Sequence, residues 1–160
     1  MRRRIFLAVV AVFLAAAAAP TPGLAGAELE NLTCAQVSVR VRSTPSLGIL
    51  EENVAQTVLT GMKARVPKLS LSGECADILR VTLFLQDIST NSFDVYYGVG
   101  MIQVERDIRM VNARAAGKVA VWSQMFIMHG SSGTVHNQVD QNVSNMIRLF
   151  AERYYEAGNP

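Results

Sequence analysis

The sequence predicts an α+β fold: a single two-layer sandwich of order β-α-β-β-β-α, with two helices on one face of a mostly antiparallel four-stranded sheet. Three observations carry this. Apolar residues alternate with period two over four segments, they recur every three to four residues over two others, and two cysteines stand just before the first two strands.

The first strand spans residues 36–42, where Val37, Val39 and Val41 face one way and Ser38, Arg40 and Arg42 the other. Ser43 to Ser46 surround Pro45, a residue suited to the first turn of a helix. From Leu47 to Val66, Leu50, Val54, Val58, Met62 and Val66 recur every four residues. Glu51 and Glu52 near one end, with Lys63 and Arg65 near the other, complement the helix dipole, and Pro67 ends the pattern. After a Ser/Gly loop over 70–73, Leu79, Val81, Leu83 and Leu85 define the inward face of a strand over 78–88.

Ser89 to Ser92 form a turn before a long third strand over about 94–111. Gly98 and Gly100 interrupt its first half and predict a bulge or a close approach of another backbone. In its second half Arg106 falls on the side of Ile102, Val104, Ile108 and Met110, so either it snorkels or the register shifts nearby. A turn over 112–117 returns the chain into a fourth strand, 118–128, apolar on both faces. That pattern fits a doubly covered central strand or one exposing an apolar patch. Thr134 is the expected N-cap of a second helix, whose stripe runs Val135, Val139, Val143, Met146, Ile147, Phe150 and Tyr154. Its polar face is mostly amide. With both helices on one side, the other sheet face is left open to water or to a partner.

Residues 1–27 read as a cleavable signal peptide. Arg2, Arg3 and Arg4 form a positive start, an uncharged apolar stretch runs from Ile5 to Ala19, and a Pro/Gly breaker precedes Ala25, Gly26 and Ala27. The apolar run is shorter than the roughly 20 residues a spanning helix needs. A lipid-accepting cysteine would stand at position 27, which is Ala27, so no lipid anchor is expected. The mature chain, 28–160, is expected to be one soluble periplasmic domain with no transmembrane segment.

Three of the fifteen basic residues lie in the leader. The remainder carries twelve basic and thirteen acidic side chains, for a net charge of −1. The basic balance of the whole chain is therefore a targeting feature, and a nucleic-acid partner is not expected. Cys34 and Cys75 form an even pair in an oxidising compartment, where a disulfide closing a loop of this length contributes roughly 3–4 kcal/mol in the chain-entropy model. It would set the first two strands side by side and parallel, as a β-α-β crossover requires.

No catalytic constellation, cofactor motif or metal motif stands out. His129 and His136, with Asp140 one turn after His136 and Met125 and Met128 nearby, are a weak metal-binding alternative. The plainer reading is an exposed histidine at a helix start and core methionines. Ser131 and Ser132 sit in a glycine-flanked linker rather than a strained nucleophile elbow. Glu105 and Asp107, alternating with Arg109, read as a solvated face rather than a carboxylate pair. The patterns at Asn31 and Asn142 match glycosylation sequons that have no standard reader in a bacterial periplasm.

The aromatic group is the candidate partner surface: Phe93, Tyr96, Tyr97 and Trp122. Adjacent tyrosines in a strand point to opposite faces, so at most one of Tyr96 and Tyr97 belongs to the core. The functional expectation is a non-enzymatic accessory or binding protein without a cofactor. It would engage an envelope partner through the open sheet face or a strand edge, with self-association left open. A small ligand- or metal-binding protein is the alternative.

Overall fold

The computed structural model describes residues 27–109 and 116–160. The predicted leader, apart from Ala27, lies outside the described residues, as does most of the predicted turn over 112–117. In chain order the elements are β1 (Cys34–Arg42), α1 (Glu51–Arg65), β2 (Ser70–Leu71), β3 (Ile78–Asp87), β4 (Tyr96–Arg109), β5 (Ala116–Gly130) and α2 (Ser132–Glu156). Single 3-10 turns occupy Ala27–Leu29 and Pro45–Leu47.

The strands form one five-stranded mixed sheet in the order β2-β1-β3-β4-β5. This corrects the expected four-stranded, mostly antiparallel sheet. The added strand is two residues long, too short to show a period, and it pairs parallel to the start of β1 through Cys34↔Ser70 and Ala35↔Leu71. Burial of Leu69 and the Cys34–Cys75 disulfide, with Cα atoms 5.6 Å apart, hold it there. β1 and β3 are adjacent and parallel, as the crossover argument expected, and β3-β4-β5 is an antiparallel meander.

Both helices pack on one side. Val54, Val58 and Met62 of α1 and Val135, Val139, Val143, Met146, Ile147, Phe150 and Tyr154 of α2 are buried against Leu79, Val81, Leu83 and Leu85 of β3 and Ile102 and Val104 of β4. The first helix starts later than the periodicity suggested. Gly48, at φ +61°, closes the Pro45–Leu47 turn in a conformation that other residues adopt at a cost, and the helix begins only at Glu51. Leu50 is consequently exposed, while Leu47 takes its place in the core. The N-cap of α2 is Ser131 rather than Thr134.

Gly98 and Gly100 are both buried within regular β4 pairing, where the expectation was a bulge or a backbone approach. There is no bulge here; the Phe84 carbonyl does approach, 3.0 Å from where a Cβ on Gly98 would stand, but side chains come closer. A Cβ on Gly98 would stand 2.3 Å from Leu85 Cδ2, and one on Gly100 would stand 2.1 Å from the Phe126 ring.

Both readings of Arg106 hold. The β4–β5 register shifts between Val104 and Glu105, leaving Val121 as the extra residue. Arg106 itself reaches past the core edge to Asp77 at 3.1 Å and to the Glu30 carbonyl at 2.9 Å. With Asn159, whose amide donates to the Leu29 carbonyl at 2.7 Å, and Arg153, paired to Glu28 at 2.9 Å, it fastens the segment that begins at Ala27.

Candidate binding surface

Among the described residues no element covers the sheet face opposite the helices, and register across four strands specifies its composition. One row runs Arg42↔Phe84↔Val99↔Ile127 and the next Arg40↔Thr82↔Met101↔Met125. Beyond them on one side come Gln86↔Tyr97↔His129, and on the other Ser38↔Arg80↔Gln103↔Ser123. The same period-two alternation that sends Leu83, Leu85 and Ile102 inward sends these residues outward.

Met125 is 67% exposed, Ile127 60% and Phe84 47%. With half-buried Val99 and Met101 and exposed Tyr97 they form a contiguous apolar strip along β4 and β5. At strand spacings it is about 13 Å long and about 10 Å wide. Exposed apolar groups gathered in one strip differ from those scattered singly over a surface, which call for no explanation.

Charge borders the strip on its β1 side. Arg80 forms a two-pronged ion pair with Glu105 (2.8 and 2.9 Å), which holds the Glu105 carboxyl below the usual carboxylate range. Among the described residues the guanidinium groups of Arg40 and Arg42 enter no ion pair or hydrogen bond. With Arg80, Thr82, Leu83 and Phe84 they line a shallow depression of about 300 Å³.

The two sheet edges differ. On β1 the Glu51 carboxylate accepts the Val41 amide at 3.1 Å, and β2 covers the strand's first residues. β5 is the other edge, and from Val119 to Met128 it carries no charged residue and no proline, the devices that ordinarily blunt an open edge. Of the two readings left open for this strand, the edge position matches the one that exposes an apolar patch.

The structure does not bring the four sequence-selected aromatics together. Tyr97 lies on the open face. Tyr96 is buried on the helix side, where its hydroxyl meets Ser46 Oγ at 3.3 Å. Trp122 is also on the helix side, packed edge-on against Phe150 with ring centroids 5.5 Å apart. Phe93 projects from the β3–β4 turn.

His129 lies beside Tyr97 at the end of β5, and His136 Nδ1 stands 3.0 Å from the Ser132 carbonyl in the first turn of α2. Asp140 is exposed, and Met125 and Met128 occupy opposite faces of the sheet. Among the described residues no three His, Cys, Asp or Glu side chains gather as metal ligands do. Asp107 pairs with Lys118 at 3.7 Å and not with Glu105.

Phe84, Met101, Met125 and Ile127 did not enter the sequence-based surface. Their signal was present in the two-faced apolarity of the fourth strand and in Phe84 falling out of phase with Leu83 and Leu85.

These features define a sheet-and-helix α+β protein in which, among the described residues, one sheet face is covered and the other is not. No protein-family model matches the chain, and no curated protein matches it. Among solved structures it is similar to a minor lipoprotein from Acinetobacter baumannii, at 12% identity and TM-score 0.38, covering 82% of this chain and 96% of that one. That likeness is too slight to carry an argument. No helix of the described residues is long and apolar enough to cross a membrane.

Proposed function

We propose that the protein is a non-enzymatic accessory or binding protein of the bacterial envelope, acting in the periplasm after loss of residues 1–27 and engaging its partner through the uncovered sheet face. The observation that carries this reading is the strip of exposed Phe84, Met125 and Ile127 with half-buried Val99 and Met101, on a face that no element covers among the described residues. Leaving Met125 and Ile127 in water forgoes about 25 cal/mol for each Å² of apolar area a partner would cover. The leader-like start and the Cys34–Cys75 disulfide support the compartment.

The test is photo-crosslinking in living cells, with a photoreactive residue at position 125 and a control at Gln56, exposed on α1. Adducts confined to position 125 are expected. Equal yields at both positions would defeat the proposal. The mass of the purified protein checks the compartment: a chain beginning near Glu28 is expected, and an intact Met1 start contradicts it.

A further inference from the structure

We infer that the occupant of the open face is an amphipathic helix of a protein partner, carrying two acidic residues four positions apart beside its apolar stripe. This rests on the reading of that face as the docking surface.

Shape argues first. The strip runs along β4 and β5 for about 13 Å and is about 10 Å wide. That is the footprint of two to three turns of one helix, whose diameter with side chains is about 10 Å. Helix on sheet is also how this protein covers its other face, so an added helix would complete a three-layer arrangement.

Charge argues second. Arg40 and Arg42 flank the strip on β1, point to the same face and lack partners among the described residues. Two residues along a strand separate them by about 6.6 Å. Positions i and i+4 of a helix are separated by about 6 Å. Acidic side chains at that spacing would meet both guanidinium groups while the apolar stripe lies over Phe84, Val99, Met101 and Ile127.

The same observations weigh against other occupants. A second copy stacked face to face offers no unpaired counter-charge, because Glu105 and Asp107, the acidic residues of this face among the described residues, are already paired with Arg80 and Lys118. A lipid surface is disfavoured by flatness. Arg80 and Gln103 lie one row from Met101, and Glu105 two rows, in the same plane, so burying the strip in hydrocarbon would carry them to similar depth.

The experiment uses the mature protein and two designed 15-residue Leu/Ala peptides, identical except for Glu or Lys at two positions four apart beside the stripe. Fluorescence anisotropy reads binding and circular dichroism reads helix formation. The Glu peptide should bind about tenfold more tightly than the Lys peptide, the size expected when two exposed attractions replace two repulsions. It should gain helicity on binding. In Arg40→Glu/Arg42→Glu, whose exposed substitutions leave the core intact, the preference should invert, and in Met125→Ser/Ile127→Ser both peptides should be released.

Equal binding of the two peptides, or binding of neither, overturns the inference. So does arginine-dependent uptake onto phosphatidylglycerol vesicles in place of peptide binding, or a complex in which the peptide stays extended along β5. If position 125 still yields protein adducts in cells while the peptides show no preference, the helix is wrong and the docking face stands. If the adducts are absent too, both fall.

Discussion

Phe126 lies over Gly100 across the β4–β5 pair, so closely that a Cβ on the glycine would stand 2.1 Å from the ring. The half-buried ring fills the space a side chain on the glycine would occupy. Gly100→Ala must therefore displace the ring, and overpacking of this kind costs about 1–3 kcal/mol. Chemical denaturation should show that loss. It should shrink in the Phe126→Leu background, where the ring is gone. Additive losses in the double variant would mean that the contact is not what excludes a side chain at Gly100.

This contact also marks how far the sequence was legible. Two glycines in a strand signal a close approach, but which group approaches depends on register, and the register was unknown. The inward series Leu79, Val81, Leu83 and Leu85, the stripe of α2, that of α1 from Val54 onward and the parallel placement of β1 and β3 were readable because each rests on local periodicity or on the cysteine positions. The two-residue β2 has no period to detect. The open-face strip was harder still. Arg42, Phe84, Val99 and Ile127 come from four segments, and only cross-strand register makes them neighbours. Adjacency in sequence drew attention to Tyr96 and Tyr97, which the pleat sends to opposite faces.

Glu105 should shape the response to acid. The Arg80 hydrogen bonds lower its pKa in the folded protein below the ordinary value of about 4.3. Its contribution is therefore present above the unfolded value and is lost as pH falls through the folded one. The pair is partly exposed, so solvent screening limits the effect to about 1 kcal/mol or less at neutral pH. Glu105→Gln should narrow its stability gap to wild type as pH drops below about 4. A gap that stays constant across that range would show that this carboxylate does not sense the acid.

The Cys34–Cys75 bridge spans 41 residues. In the chain-entropy model, losing it costs about 3–4 kcal/mol. Cys34→Ala/Cys75→Ala should show this in denaturant titrations. Hydrogen exchange should locate it: the amides of Ser70 and Ser72, which bond to the Thr33 and Ala35 carbonyls, should lose protection before those of β3 and β4. Uniform loss across the sheet would mean that the bridge stabilises the fold as a whole and not the β1–β2 edge.

Tyr154 offers the opposite sign. Its ring is fully buried beside Phe150, and its hydroxyl, also buried, finds no hydrogen-bond partner among the described residues. Burial pushes its pKa above the ordinary tyrosine value. An unsatisfied buried hydroxyl costs about 1–3 kcal/mol, whereas the ring itself is a large apolar contribution to the core. Tyr154→Phe removes the first and keeps the second, so it should leave stability unchanged or raise it by about 1 kcal/mol. Tyr154→Ala should cost about 3–5 kcal/mol, as the loss of a buried ring ordinarily does. A destabilising Tyr154→Phe would show that the hydroxyl is held by a bond, and it would direct attention to the polar groups around the Tyr154 ring.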